Sequence, residues 1–402
     1  DSTMQPFSGI FETYLIPNNH PDFNVRFRQL KDAIKLVYSS IYSPHSRRYF
    51  EAINFSMEEE KMAVVIQDVV GTYHQDHFYP HISGTAQSHN YYPVAHMEPE
   101  DGFAVAGLGL GHYVVNGERA YRFSPKYPTL EMSSIQSQLR DSQVEFMALD
   151  MINSEVDFVK EGSEANLHKL PLSEAESHDV LKNLAWAYDV ENESIEPGIS
   201  SPGPRILNFA NILKFEYVPL ARALTLILDV GKEALGSPVE LEYAVDLDKA
   251  ENGKPSFYIL QIKPMMGTGG EYTFDTGGID PEEMIIYAER SMGNGKVDNI
   301  TDLVYVDPEG FDKMRTREMA TQIEQFNRKM VAEDRKYILI GPGRWGTRDP
   351  FIGIPVNWSQ ISNARVIVET SLEEFPLDAS LGSHFFHNVT SMNIGYFDIP
   401  WN

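Results

Sequence analysis

Apolar residues recur every three or four positions in the segment that begins at Phe23. This spacing predicts an amphipathic helix that packs one face on the rest of the protein, and Pro44 is expected to end it. The stripe consists of Phe23, Phe27, Leu30, Ile34, Val37 and Ile41. A second helical pattern runs over residues 206–235. Pro219 is expected to kink or divide that helix, and Gly236 to end it.

Short apolar runs between the helical patterns are typical of β-strands. Residues 62–70 (MAVVIQDVV) are apolar and β-branched enough for a buried strand, and residues 103–108 form a second run that leads into a glycine-rich segment. Residues 239–245 and 257–262 lie on either side of Asn252-Gly253, a dipeptide that favours a tight turn between antiparallel strands. These two segments therefore predict a β-hairpin.

One face of this hairpin carries the residues with the clearest chemical potential. Alternation along the first strand places Glu240 and Glu242 on the same face, and Gln261 and Lys263 can share a face on the second. Two carboxylates, an amide oxygen and an ammonium on adjacent strands could hold Mg²⁺ and a polyphosphate. The alternative is an exposed sheet face with ordinary Glu–Lys pairs, which half-exposed strands commonly carry.

The patterns as a whole predict an α+β fold with more than one unit. Residues 131–205 are acidic and serine-rich and are interpreted as an insert or connector, and the glycine-rich residues 267–280 as a linker. Residues 281–402 then favour a separate C-terminal α/β domain. Its expected elements are helix, helix, strand and strand over residues 281–292, 311–332, 337–340 and 364–369.

Composition narrows the classes of function. The 402 residues contain 33 Lys and Arg against 58 Asp and Glu, and the resulting net charge of −25 argues against nucleic acid as a partner. The absence of cysteine excludes disulfides and thiolate metal sites, and makes a cytoplasmic location the default expectation. No apolar stretch reaches the roughly 20 residues of a membrane span, so no membrane partner is expected. Because Asp1 follows neither a methionine nor a signal sequence, we interpret the chain as a fragment of a longer polypeptide.

A histidine-rich segment has the spacing of metal ligands. It contains His74, His77 and His81 within the sequence HQDHFYPH. No fourth ligand is evident nearby, and a solvated loop is the favoured interpretation.

A second glycine-rich segment lies near the C-terminus. Residues 341–346 match a dinucleotide-binding motif but lack the helix that must follow it, so a turn is favoured, with Arg344 as a candidate anion contact. Exposing a large aromatic side chain costs roughly 2 to 3 kcal/mol. We therefore expect Trp345 or Trp358 to anchor this loop against the protein.

Several segments, taken in chain order, resemble the motifs of one family. The match is to the nucleotide-binding domain of phosphoenolpyruvate synthase, pyruvate phosphate dikinase and rifampicin phosphotransferase, and it covers residues 1–266. The segments are residues 6–15 (PFSGIFETYL), 62–70 (MAVVIQDVV), 82–86 (ISGTA), 107–109 (GLG), 240–244 (ELEYA) and 258–264 (YILQIKP). The resemblance implies an ATP-grasp fold whose subdomains close on ATP and Mg²⁺ and pass a phosphoryl group to a histidine on a separate swivelling domain.

The resemblance also assigns roles to individual positions. It implies that Gly9 and Thr13 lie near the nucleotide phosphates and Gln67 near the adenosine. Glu242 and Gln261 are implied at the ribose and metal side. The remaining cofactor-binding positions are Glu240, which takes the place of the family's Asp, and Lys263, which stands where Arg is usual.

Departures from the family pattern leave two functions open. Leu110 replaces the acid of the family's G-L-G-E segment, Lys263 lacks the planar fork of Arg, and no T-S-H-A phosphohistidine motif occurs. The leading hypothesis is the Mg-ATP-binding part of a phosphoenolpyruvate synthase-like phosphotransferase, whose partners are upstream and phosphohistidine domains of the intact protein. In the family a basic R-S-S element lies a few residues before the position of Asp1, and it is missing here, so this chain alone is expected to bind ATP poorly or not at all. The alternative is a degenerate ATP-grasp module that binds a nucleotide or a partner protein without catalysis.

Overall fold

The computed structural model describes residues 9–52, 56–58, 61–248, 253–265, 284–288, 291–292, 297–372, 383–392 and 394–400. The chain divides into two compact units. We call them the large unit, which comprises Ile10–Arg47 and Ser56–Pro264, and the C-terminal unit, which comprises Asp1–Gly9, Arg48–Phe55 and Met265–Asn402. Both combine helices with sheets, so the predicted α+β class is confirmed. None of the helices in the described ranges is long and apolar enough to cross a membrane.

Eight helices and twelve strands precede the predicted linker in the described residues. The helices are α1 Phe23–Ser39, α2 Pro44–Ala52, α3 His112–Val115, α4 Ile135–Asp141, α5 Phe158–Glu161, α6 Leu172–Ser177, α7 Ala210–Leu213 and α8 Leu220–Leu235. The strands are β1 Thr72–His74, β2 His77–Tyr79, β3 Ile82–Gln87, β4 Phe103–Gly107, β5 Tyr121–Phe123, β6 Glu145–Asp150, β7 Leu167–Pro171, β8 Ala185–Asp189, β9 Ser194–Glu196, β10 Arg205–Leu207, β11 Val239–Asp246 and β12 Ser256–Pro264.

A five-stranded antiparallel sheet forms the centre of the large unit, in the order β12-β11-β3-β4-β5. Two smaller antiparallel sheets have the orders β1-β2-β6-β7 and β10-β8-β9. Residues Leu241, Tyr243 and Val245 point from β11 into the hydrophobic core and are almost fully buried. Because side chains alternate along a strand, the intervening positions of β11 project from the opposite face of the sheet.

Helix α8 packs near β11 on the apolar side of the central sheet. It begins after Pro219 and ends at Gly236, which adopts a left-handed conformation with φ 65°. Leu224 is fully buried in the core. At Gly231 a β-carbon would lie 2.6 Å from Ile262 Cδ1, so the helix approaches the sheet closely at this position. The predicted end of the helix at Gly236 is therefore confirmed.

The C-terminal unit contains a mainly parallel sheet in the order β13-β19-β18-β15-β14. Its elements are β13 Ser291–Met292, β14 Ile300–Tyr305, α9 Thr316–Ala332, β15 Lys336–Pro342, β16 Arg344–Trp345, β17 Gly353–Ile354, β18 Ala364–Thr370, α10 His384–Ser391 and β19 Gly395–Ile399. Trp345 and Trp358 are both buried, which confirms the expected anchoring of the loop. The Trp345 indole donates a hydrogen bond to the Val368 carbonyl oxygen at 3.0 Å, so the loop is fixed to the sheet.

Three predicted elements were wrong. Residues 62–70 form no strand, and Val65 and Ile66 are exposed, because a strand needs a neighbouring backbone that a local pattern cannot supply. The helix expected over residues 206–235 is divided at Pro219, as predicted, but its first part contains β10 and the short helix α7. The helix expected over residues 281–292 does not form at the described residues 284–288 and 291–292. The predicted linker, residues 267–280, lies outside the described residues.

Two further interpretations need correction. Residues 131–205 are not a connector, because they supply β6 to β9 and core side chains such as Phe146 and Leu184. Their short strands alternate with polar turns, which dilutes the apolar signal in the sequence. The histidine segment is not a solvated loop, because His74 and His81 are buried around the β1–β2 hairpin. Along α1, the expected stripe is also only partly buried, since Phe23 and Phe27 are exposed.

Candidate functional site

The predicted hairpin forms, and its register brings the polar residues together. Glu240 is paired in register with Lys263, and Glu242 with Gln261. On the other side of β11, the neighbouring strand β3 places Gln87 beside Glu240 and Thr85 beside Glu242. Residues opposite one another in a sheet point to the same side. We call this group the polar face, and its members are Thr85, Gln87, Glu240, Glu242, Gln261 and Lys263.

Four of the six side chains of the polar face are buried, whereas Glu242 is half-buried and Gln261 is exposed, so the face differs from the exposed one of the alternative interpretation. Glu240 is 3% exposed and Lys263 is 7% exposed. Lys263 Nζ lies 2.9 Å from Glu240 Oε1 and 3.6 Å from Glu242 Oε1. The Gln87 amide donates a hydrogen bond to the second oxygen of Glu240. Glu240, Lys263 and Gln87 therefore form a buried, hydrogen-bonded network and not the exposed Glu–Lys pairs of the alternative interpretation.

The charges of this network hold Lys263 in its protonated form. Burial by itself would lower the pKa of Lys263, but the carboxylates of Glu240 and Glu242 outweigh it and raise the pKa above its ordinary value. One ammonium and two carboxylates leave a net charge of −1. A local excess of negative charge at oxygen ligands favours a bound cation.

Two buried polar atoms on the polar face have no hydrogen-bond partner within the described part of the chain. They are Thr85 Oγ1 and Gln87 Oε1, and both residues are 1% exposed. Leaving a buried polar group unpaired costs roughly 1 to 3 kcal/mol. Such atoms are the ones that a bound polar ligand can satisfy, so the polar face fits a ligand rich in hydroxyl and phosphate oxygens.

Gly84, in the segment ISGTA, allows close packing within the central sheet. A β-carbon at this position would lie 2.0 Å from the Val105 carbonyl oxygen and 2.6 Å from the Tyr243 hydroxyl oxygen. The same hydroxyl donates a hydrogen bond to the Val105 carbonyl oxygen at 3.1 Å. Glycine is therefore required where the Tyr243 hydroxyl crosses β3 to reach β4.

The glycine-rich segment after β4 closes one end of this region. Ser83 Oγ donates a hydrogen bond to the Gly109 carbonyl oxygen at 2.7 Å, and Gly109 has a left-handed φ of 88°. Leu110, which stands where the family has an acid, is 5% exposed and belongs to the hydrophobic core. This position therefore supplies packing and cannot contribute a carboxylate.

Sequence reasoning missed Thr85 and Gln87 of the polar face and two further residues near it. Arg122 on β5 is paired in register with Val105 on β4, which is itself paired with Thr85, so all three point to one side of the sheet. Its guanidinium lies 4.7 Å from the centre of the Phe103 ring and donates to Asn90 Oδ1 at 2.9 Å. Only the strand order reveals this cation, because Arg122 is far from the hairpin in sequence.

Tyr91 is the second of these further residues. Burial, followed by the charge of Glu240, raises the pKa of Tyr91 to about 12. The phenol therefore stays protonated at neutral pH and can act as a hydrogen-bond donor close to the polar face.

The remaining predicted residues are placed differently. Gln67 is exposed, and its amide donates to the Leu260 carbonyl oxygen on β12 at 3.3 Å, which puts it beside the hairpin. Thr13 is exposed and follows Glu12, whose backbone N–H donates to Ser40 Oγ at 3.2 Å. Gly9 belongs to the C-terminal unit and has a φ of 71°. The ligand roles of all three stay predictions.

Comparison with known protein families matches residues 1–276 to the AMP/ATP-binding domain of pyruvate phosphate dikinase. No individually curated protein matches the chain. The matched residues contain the central sheet, the polar face and every segment of the resemblance. The predicted family and fold are thus confirmed, and the chain belongs to the pyruvate phosphate dikinase AMP/ATP-binding domain family, whose domain is of the ATP-grasp type.

Proposed function

We propose that the polar face binds Mg-ATP and positions its phosphates for transfer to a histidine on a separate domain of a phosphoenolpyruvate synthase-like phosphotransferase. One observation carries the proposal. The register of β3, β11 and β12 gathers two carboxylates, two amides, a hydroxyl and an ammonium onto one face, of which four side chains are buried. Membership of a nucleotide-binding family supports this use of the face.

The oxygen ligands suit a hard cation. Glu242 and Gln261 stand opposite one another on adjacent strands and offer a carboxylate and an amide oxygen, which is a donor set that Mg²⁺ accepts. When bound, Mg²⁺ supplies neutralisation of phosphate charge. Glu240 stays paired with Lys263 and keeps the ammonium in position.

Two cations and the two unpaired polar atoms of the polar face can bind groups of the nucleotide. Lys263 presents a charge to phosphate oxygens, and Arg122 provides a second cation on the same side of the sheet. Gln87 Oε1 can accept a hydrogen bond from a ribose hydroxyl, and Thr85 Oγ1 can donate one to an oxygen. We assign Gln67 to the adenosine end and Thr13 to the phosphate end. The chain's contribution is positioning and charge neutralisation.

The test compares Glu242→Gln with Glu233→Gln. Glu233 is an exposed carboxylate on α8, so its loss is a matched control for charge. Saturation-transfer NMR, which detects millimolar affinity, measures Mg-ATP binding to the whole chain. We expect saturable, Mg²⁺-dependent binding that weakens at least tenfold in Glu242→Gln and stays unchanged in Glu233→Gln. Equal effects of the two substitutions would refute the proposed site.

A degenerate module that binds a nucleotide without catalysis is the second candidate. The buried, apolar position of Leu110 favours it, because the family places an acid there. This candidate predicts ATP binding that is independent of Mg²⁺. Titrating ATP with and without Mg²⁺ in the same NMR experiment separates the two functions.

A further inference from the structure

A second cluster of polar side chains lies at the opposite end of β11. The strand ends at Asp246, and the turn that follows carries Asp248. His81, in the segment between β2 and β3, packs against both carboxylates. His81 is 6% exposed, so the cluster combines a buried imidazole with acidic groups from a distant part of the sequence.

These three side chains lie close enough together to be drawn onto one ion. One ligand atom from each residue lies within 4.8 Å of the other two. His81 Nδ1 is 3.1 Å from Asp246 Oδ1, and His81 Nε2 is 3.8 Å from Asp248 Oδ1. Zinc bonds of about 2.0 to 2.2 Å at tetrahedral angles place neighbouring ligand atoms roughly 3.4 Å apart. Asp246 approaches Nδ1 and Asp248 approaches Nε2, whereas an ion binds only one ring nitrogen, so the exposed Asp248 side chain must turn toward Nδ1 to close the shell.

The backbone holds the three residues in this arrangement. The Asp248 N–H donates to Asp246 Oδ1 at 3.0 Å, and the Leu247 N–H lies 3.3 Å from His81 Nδ1, a long contact that an ion bound to this nitrogen would replace. Lys182, a cation that interacts electrostatically with Asp248, forms its hydrogen-bonded pair with Asp179 instead. With a neutral imidazole the cluster carries two negative charges, which a divalent cation neutralises.

We propose that His81, Asp246 and Asp248 form a binding site for a divalent transition-metal ion of the Zn²⁺ class. One imidazole nitrogen and two carboxylate oxygens suit such ions better than Mg²⁺, which prefers oxygen alone. Asp248 is 65% exposed at its side chain, so solvent reaches the site and water completes the shell. The buried ring of His74, centred 5.3 Å from that of His81, borders the site.

This site is separate from the polar face and does not depend on the proposed function. Asp246 lies four residues beyond Glu242 on β11, which is about 13 Å at roughly 3.3 Å per residue. A bound ion would join the start of β3 to the end of β11 and stabilise the large unit by mass action.

The test uses Co²⁺ as a spectroscopic probe for Zn²⁺. The whole chain, stripped with a chelator and kept in excess Mg²⁺ to occupy oxygen-only sites, is titrated with Co²⁺ and its visible absorption recorded. Competition with Zn²⁺ follows. We expect one saturable equivalent with the spectrum of four-coordinate Co²⁺. His81→Ala should abolish it and Asp248→Asn should weaken it at least tenfold.

Two controls make the outcome decisive. His96→Ala removes an exposed imidazole that packs edge-to-face with Tyr127, and it should leave Co²⁺ affinity unchanged. His168→Ala removes a histidine that lies 3.4 Å from His77, in a second pair of imidazoles, and should also have no effect. Circular dichroism confirms folding of each variant, and Asp248→Asn carries the test if His81→Ala does not fold.

Three results would overturn the proposal. They are the absence of a saturable equivalent in the wild-type chain, wild-type affinity in folded Asp248→Asn, and loss of binding in His168→Ala.

Discussion

Replacing Lys263 by methionine removes the ammonium that lies 2.9 Å from Glu240 Oε1 inside the polar face. Both side chains are less than a tenth exposed, so water cannot take over the interaction. Removing one member of a buried ion pair costs about 3 to 5 kcal/mol, because the remaining charge stays desolvated. We expect Lys263→Met to lower the free energy of unfolding of the large unit by this amount.

The assay is native-state hydrogen exchange of the β11 amides, because it reports the large unit separately from the C-terminal unit. The double variant Glu240→Gln/Lys263→Met tests the cause. It removes both charges and should recover more than half of the lost stability. A loss below about 1 kcal/mol in Lys263→Met would contradict the buried-pair reasoning, and so would a double variant as unstable as the sum of the two single variants.

Three further predictions concern packing and pH. Gly84→Ala should prevent stable folding of the large unit, since its β-carbon would lie 2.0 Å from a carbonyl oxygen, whereas Gly111→Ala, with 3.7 Å to its nearest neighbour, should fold normally in thermal melts. Leu224→Ala should cost about 2 to 5 kcal/mol in urea unfolding and Leu226→Ala, at an exposed position, less than about 0.5 kcal/mol. Burial, opposed by Glu100 and aided by Lys232, lowers the pKa of His89 from 6.5. As the pH falls, the unfolded state therefore binds the proton before the folded state does. The free energy of unfolding is highest above pH 6.5 and decreases below it. His89→Gln should reduce this decrease, measured by urea unfolding at several pH values.

The hairpin was predictable because its signals are local. An Asn-Gly turn between two alternating segments fixes which strands pair, and alternation fixes which residues share a face. Glu240, Glu242, Gln261 and Lys263 could therefore be placed together from the sequence. The helix end at Gly236 follows from the same kind of short-range rule, the freedom of glycine to adopt a left-handed conformation.

The burial of that face could not be read from the sequence. Whether Glu240 is exposed or enclosed depends on β3, which pairs with β11 from more than 150 positions away. Strand order also brought Thr85, Gln87 and Arg122 to the site, and no local pattern marks them.

The same distinction explains the histidine cluster and residues 62–70. The spacing of His74, His77 and His81 could not reveal the carboxylates that approach His81. These carboxylates lie at the far end of β11, which is distant in the sequence. Residues 62–70 have the composition of a strand but lack regular strand pairing in the structure. Sequence determined the alternation and the turns of this protein, because these depend on neighbouring residues. Tertiary structure decided burial, charge pairing and the makeup of both candidate sites, because these depend on which distant strands meet.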